Sequence, residues 1–206
     1  KKITGTPIIE AYGLTETSPA ATINPLDLKE YNGFIGLPLP STFIQIKDDD
    51  DNDLGIDAEG ELCIKGPQVT QGYWKRPDES KKAFTKDGYF RTGDYATINA
   101  KGYVKILDRK KDMILVSGFN VFPNEIEAIL MLHPDIVEAA AIAMPYPSSG
   151  EAVKVFIVKR TDSLTEETVN AYCRKQLTAY KCPKEIVFMD ELPKSNVGKV
   201  LRKNLR

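Results

Sequence analysis

Histidine is almost missing from this sequence. His133 stands alone, just before Pro134 at the end of a helical pattern, and reads as a structural terminus and not as a base. The three cysteines, Cys63, Cys173 and Cys182, are odd in number and widely spaced. None sits in a CxxC pair, so neither a disulfide framework nor a zinc site is indicated, and a reduced, cytoplasmic compartment is the simplest expectation. Charge of one sign is lacking too. The 28 basic residues balance 29 acidic ones, which leaves no bulk field to hold nucleic acid or an anionic membrane. Apolar runs are short: Ala139 to Pro145 is among the longest, far below the ~20 residues that cross a bilayer. No signal-peptide pattern, internal repeat or low-complexity stretch stands out beyond the acidic loop at Asp48.

What is present is length enough for one large domain or two smaller ones. From Gly33 to Ile106, short β-like runs (Thr42–Lys47, Glu61–Lys65, Tyr103–Leu107) alternate with turn-rich breaks at Asp48–Gly55 and Asn99–Gly102. That texture predicts a compact, antiparallel, barrel-like subdomain. After Asp108 it changes. Pro123–Leu132 and Thr165–Leu177 read as helices, the second capped by Thr165, while 137–144, 153–158 and 185–189 read as strands. The second half is therefore expected to be a small α+β domain. The resulting division is 1–107, a charged junction at 108–112, and 113–206. The chain opens at Lys1, close to an apolar strand-like stretch from Pro7 to Tyr12, and the expectation is that it is a fragment.

Four stretches can carry chemistry. In Tyr12-Gly-Leu-Thr-Glu-Thr17, Thr15 offers a hydroxyl to phosphate oxygens, Glu16 a hard oxygen ligand for magnesium, and Tyr12 a ring face for a base. A plain strand-to-helix turn explains the same residues. In Gly88-Tyr-Phe-Arg-Thr-Gly-Asp94, the carboxylate at a glycine turn can take both hydroxyls of a ribose, or merely cap the turn. In Asp108-Arg-Lys-Lys-Asp112, Arg109 can reach a ribose or a phosphate and the following residues can absorb a backbone rotation, or the run is a solvated turn. In Pro193–Arg202, Lys199 on a glycine-containing loop can neutralise charge developing at a carboxylate and an α-phosphate, or belong to a solvated basic tail. Two decoys fall away. Asp49, Asp51 and Asp53 suggest a calcium loop, but Leu54 stands where glycine is needed and Gly60 where glutamate is needed. The pair in Gly33-Phe-Ile-Gly36 is too little for a dinucleotide site.

In that order and spacing, together with Gly60–Gly66, Gly72-Tyr-Trp74 and Leu177–Pro183, these stretches resemble the adenylate-forming superfamily over essentially the whole chain. Asp108–Glu127 and the tail from Pro193 to Arg202 are most similar to bacterial long-chain fatty acid–CoA ligases. The resemblance implies the β-rich end of a large α/β AMP-binding domain followed by a small mobile domain. Tyr12 and Gly13 would lie at adenine, Thr15 at phosphate and Glu16 at magnesium. Asp94 would hold the ribose, helped by Arg109. Lys111 would be the hinge, Lys199 the lysine of adenylate formation, and Ser117, Gly118 and Phe119 part of the route for the thiol. It also implies ATP, Mg2+, coenzyme A and a fatty acid as partners, and no nucleic acid. Peripheral membrane contact would come only through segments outside this sequence. The implied reaction joins a fatty carboxylate to AMP, then to the CoA thiol; an acyl- or aryl-CoA or AMP ligase of another kind, or a non-catalytic nucleotide-binding module, are the alternatives. Two departures are the phosphate loop expected well upstream of Tyr12, and Arg91 where many relatives carry histidine. The fragment alone is expected not to catalyse adenylation.

Overall fold

The computed structural model describes residues 5, 6 and 8–206, which divide into two units, Lys1–Lys110 and Lys111–Arg206. In the first unit, three two-residue strands, β1 (Ala11–Tyr12), β2 (Thr22–Ile23) and β3 (Leu37–Pro38), pair antiparallel in that order. The strand expected over Pro7–Tyr12 is thus confined to its last two residues; Pro7 itself lies outside the described residues. The chain then lays down β4 (Phe43–Lys47), β5 (Gly60–Lys65), β6 (Phe90–Ile98) and β7 (Val104–Arg109), a four-stranded antiparallel sheet in sequence order. A one-and-a-half-turn helix, α1 (Pro77–Lys82), sits in the β5–β6 connection.

The sheet is antiparallel, as expected, but no closed barrel forms among the described residues. Instead of curling onto β4, the outer edge of β7 is bridged to the chain before β3. Ile35 N–H donates to the Val104 carbonyl (2.8 Å), and Val104 N–H donates to that of Gly36 (3.0 Å). A Cβ on Gly36 would lie 2.1 Å from the Ile23 carbonyl carbon, and its φ of +102° is also outside the usual range of other residues, so glycine is required for this approach. Ile46, Leu62, Ile64, Ala96 and Val104, with Ala21 from below, make the core of this unit.

The second unit is α+β. A hairpin of β8 (Ile114–Val116) and β9 (Phe119–Val121) leads into α2 (Pro123–Leu130). There follow β10 (Ile136–Tyr146), β11 (Gly150–Lys159), α3 (Glu166–Gln176) and β12 (Glu185–Met189). β10 and β11 form a long antiparallel pair, and β12 runs parallel beside β11. Strand alternation assigns the faces. Val153, Val155 and Ile157 of β11 meet Ile126 and Leu130 of α2 and Val169 and Cys173 of α3. Each such side chain removed from water contributes about 1.5–3 kcal/mol. Phe156 and Val158 point to the opposite face, which is covered by Leu192 and Leu205 from the C-terminal segment. Helix α3 starts where expected: the Thr165 hydroxyl accepts the Thr168 N–H (3.3 Å), with Glu166 and Glu167 in the first turn and Arg174 and Lys175 in the last. His133 Nδ1 accepts the Asp135 N–H (3.2 Å) and its ring meets Tyr172 edge-on, a structural role.

Candidate active site

The Thr-Gly-Asp stretch is a bulge in β6. Opposite one residue of β5, Leu62, the pairing Glu61↔Tyr95 and Cys63↔Arg91 leaves three on β6: Thr92, Gly93 and Asp94. The excess strand folds outward and its backbone groups need partners. The Thr92 hydroxyl donates to the Leu62 carbonyl (2.8 Å) and accepts the Asp94 N–H (3.1 Å). The Gly93 N–H, at a φ of +71° that suits glycine, donates to Oε1 of Glu61 (3.1 Å). The bulge aims Asp94 across the strand pair at Arg109, its register partner on β7. Arg109 Nε lies 3.0 Å from Asp94 Oδ1, and the Tyr12 hydroxyl donates to Oδ2 at 2.5 Å. Two residues singled out on separate motifs, Tyr12 and Arg109, therefore converge on the carboxylate of a third, Asp94, which is 5% exposed. Burial, and then the Asp94 charge, push the Tyr12 phenol well above its ordinary range, so Tyr12 remains a donor.

Gly13 follows Tyr12 because nothing larger fits: a Cβ there would lie 1.6 Å from the Pro19 carbonyl oxygen. The chain then makes a single 3₁₀ turn, Thr15–Thr17, closed by the Thr17 hydroxyl, which accepts the Leu14 N–H (2.8 Å). Thr15 is exposed and Glu16 half-buried, and Glu16 Oε1 accepts the Tyr73 hydroxyl (2.9 Å). That hydrogen bond leaves the second carboxylate oxygen for a ligand. A hydroxyl beside a carboxylate is a hard oxygen set of the kind that holds Mg2+ when substrate phosphates and water complete the shell. Arg91 is accounted for as well. Its guanidinium pairs with Asp51 and with Glu61 (3.1 Å). Burial works against the charge of Arg91, and Glu61 and Asp51 outweigh it and push its pKa up. The acidic loop is accordingly only partly a solvated turn: Asp48 caps Asn52 and Asp50, whereas Asp51 and Asp49 pair with Arg91 and Lys110.

In the second unit, Ser117 and Gly118 form the two-residue turn of the β8–β9 hairpin, both with positive φ (+50° and +86°), as a type I′ connection requires. Phe119 is 57% exposed and stacks on Tyr180, with centroids 4.9 Å apart. Lys199 closes a second tight loop. Ser195 N–H donates to its carbonyl (2.8 Å), and its own N–H donates to Ser195 Oγ (3.2 Å). Its side chain is exposed. The segment after it is no solvated tail. Arg202, 17% exposed at the side chain, forks onto Glu127 (2.8 and 3.1 Å) and reaches Asn124 (2.8 Å). Arg206 pairs with Asp112 (2.5 Å), next to Lys111.

Sequence reasoning overlooked Glu61, Tyr73 and Arg202. The available signal for Glu61 was a charge inside an otherwise apolar strand run, Glu61–Ile64, since a buried carboxylate demands partners.

Comparison with known proteins bears on these positions. The AMP-binding enzyme family matches residues 1–74, and the C-terminal domain of AMP-binding enzymes matches residues 125–199. The chain belongs to the AMP-binding enzyme family. Both matched stretches of the family contain candidate residues, Tyr12 to Glu16 in one and Lys199 at the end of the other. Long-chain-fatty-acid–CoA ligase of Escherichia coli O6:H1 is 56% identical over 205 residues, and that of Bacillus subtilis 41% over 207. Each alignment takes in 100% of this chain but only 36% and 37% of the relative, so the chain spans about a third of their length. Among solved structures, ATP-bound MatB from Rhodopseudomonas palustris superposes with a TM-score of 0.91 at 38% identity, over 98% of this chain and 41% of that one. o-Succinylbenzoate CoA synthetase (MenE) from Bacillus subtilis, in complex with the acyl-adenylate OSB-AMP, gives 0.88 at 30% identity over the same shares.

Proposed function

We propose that this chain is the C-terminal portion of an AMP-forming long-chain fatty acid–CoA ligase. The observation that carries the proposal is the convergence of Tyr12 and Arg109 on the buried Asp94. It is an arrangement with a ring face, a carboxylate and a cation in reach of one another, suited to a nucleoside. Asp94 takes the ribose hydroxyls as charge-assisted hydrogen bonds, and Arg109 orients that carboxylate. Tyr12 lies against the base with Gly13 giving close access to the backbone, and Thr15 donates to phosphate. Glu16 holds Mg2+, which supplies charge neutralisation at the phosphates when bound.

The roles in the second unit rest on motif matches. Lys199 is the lysine that offsets charge as the fatty carboxylate attacks the α-phosphate of ATP and pyrophosphate leaves. Lys111 is the hinge about which 113–206 turns before the CoA thiol displaces AMP, and Ser117, Gly118 and Phe119 then line the thiol route. The fatty-acid preference is carried over from the relatives that are 51–56% identical and bear the name long-chain-fatty-acid–CoA ligase. No helix of the described residues is long and apolar enough to cross a membrane.

The test is acid-dependent ATP–pyrophosphate exchange by the full-length protein, over acids from acetate to oleate and an aryl acid, with Lys199→Ala as control. Exchange that peaks with long acyl chains and falls by about 100-fold or more in the variant is expected from loss of one charge-stabilising group. A maximum at short or aryl acids would retain adenylation and replace the substrate class.

A further inference from the structure

Glu61 carries no role in the reading above, although its surroundings single it out. It is 4% exposed on β5, with no vacant oxygen. Oε1 accepts the N–H of Gly93, the residue before Asp94 (3.1 Å). Oε2 accepts from Arg91 (3.1 Å) and from the Lys110 ammonium (2.9 Å). Lys110 is the last residue of the first unit, and it also pairs with Asp49 at the mouth of an open polar cavity lined by Glu61, Tyr73, Arg91 and Gly93. Burial disfavours the charge on Lys110, and its hydrogen bonds to Asp49 and Glu61 outweigh this and hold it protonated above its usual range. Each bond has a consequence for a neighbour that touches the nucleotide or the junction. The Gly93 bond fixes the crest of the bulge from which Asp94 is aimed. The Lys110 bond fixes the chain one residue before Lys111.

We propose that Glu61 is a positioning residue that sets, through one carboxylate, both the nucleotide-holding turn at Gly93–Asp94 and the Lys110 end of the interdomain junction. The idea rests on the ligase reading for its substrates, and on geometry alone for the coupling. It acts through Asp94 and Lys110 and touches no reacting atom. Its signature is a split between the two half-reactions that depends on which arm is cut. Glu61→Gln keeps an acceptor for Gly93 but turns a donor toward Arg91 and Lys110, so it disturbs both arms. Lys110→Gln, at a side chain 34% exposed, cuts the junction arm and leaves the Gly93 bond.

The experiment uses the full-length protein and three readouts: KM and kcat for ATP in pyrophosphate exchange, the rate at which CoA discharges a preformed acyl-adenylate, and AMP affinity by calorimetry. Loss of one charge-assisted anchor is worth about tenfold. Glu61→Gln is expected to raise KM for ATP and the Kd for AMP about tenfold, with exchange kcat changed by less than about threefold. Lys110→Gln is expected to leave KM for ATP within about twofold and to slow CoA discharge about fivefold or more. An unchanged KM and Kd in Glu61→Gln would overturn the proposal. So would parallel losses in both half-reactions and in Tm for both variants, the mark of a purely structural glutamate. If the wild-type protein exchanges with no acid yet binds AMP, and Glu61→Gln weakens that binding, the ligase reading falls while the Glu61 assignment at the turn stands. If Glu61→Gln fails to fold, normal CoA discharge by Lys110→Gln is sufficient to refute the coupling.

Discussion

Truncation of Arg202 to alanine is expected to destabilise the second unit by about 2–3 kcal/mol, a figure that follows from its partners. The guanidinium forks onto Glu127 at 2.8 and 3.1 Å and bonds Asn124 at 2.8 Å, with both charged side chains less than 20% exposed. An exposed ion pair would contribute only about 0.2–1 kcal/mol, but this one is bidentate and mostly shielded from water. Truncation also leaves Glu127 as a half-buried carboxylate held by a single donor, the Ala141 N–H at 2.8 Å. With a urea m-value of about 1–2 kcal/mol per M, the unfolding midpoint should fall by about 1–3 M. A double-mutant cycle with Glu127→Gln, which keeps an acceptor for Ala141, isolates the pair, and a coupling energy of about 1–2 kcal/mol is expected. Coupling below about 0.5 kcal/mol, with the midpoint unmoved, would refute the claim that this contact anchors the C-terminal segment. Because Arg202 lies three residues beyond Lys199, the same variant should lose exchange activity to a greater degree than it loses folded protein.

Three further outcomes are expected. Asp94→Asn should raise KM for ATP about 10- to 100-fold, since one charged acceptor is worth about 1.5–3 kcal/mol, and an unchanged KM in exchange assays would remove Asp94 from the nucleotide site. Gly13→Ala should lower Tm or abolish soluble expression, because the added methyl would lie 1.6 Å from a backbone oxygen that only a chain shift can move; a Tm within about 2 °C of the wild type would contradict the turn described. Burial, and then Glu61, push the Cys63 thiol from 9.0 up to about 12. The unfolded chain therefore ionises first: the thiol's contribution to stability is intact below about pH 9 and is lost progressively between about 9 and 12, which urea midpoints compared with those of Cys63→Ala over that range will detect.

Much of the second unit was legible because its signals are local. The Thr165 cap, the Ile126–Leu130 spacing and the valine-rich strands each declare themselves within a few residues, and they appear nearly where expected. The first unit was legible as short strands and turns, but its closure was not. Whether a four-stranded sheet curls into a barrel depends on a bridge between Gly36 and Val104, which lie far apart in sequence. The site divides in the same way. Tyr12, Asp94 and Arg109 were singled out from their motifs, and the fold brings their three side chains into contact. Glu61 was hidden because its importance lies in what it holds, and no spacing along the chain announces a carboxylate that accepts from Gly93, Arg91 and Lys110 at once. Arg202 was hidden for the opposite reason, since a run of basic residues looks the same whether it is solvated or packed.

The bulge in β6 has a further consequence for how the loop can vary in length. Three residues stand where one would suffice, so the surplus is two, an even number, and the in-and-out alternation of β6 passes through it unbroken: Phe90, Thr92, Asp94 and Ala96 are all buried. Removal of one residue from Thr92–Asp94 would reverse that parity, turning every later side chain of the strand to the wrong face and carrying Asp94 away from Arg109. Removal of two would restore the parity and flatten the strand, at the cost of the outward fold that aims the carboxylate. Length variation here is thus filtered by arithmetic, odd changes eliminated by the core and even ones by the site, and related chains should hold this stretch at constant length even where its residues differ.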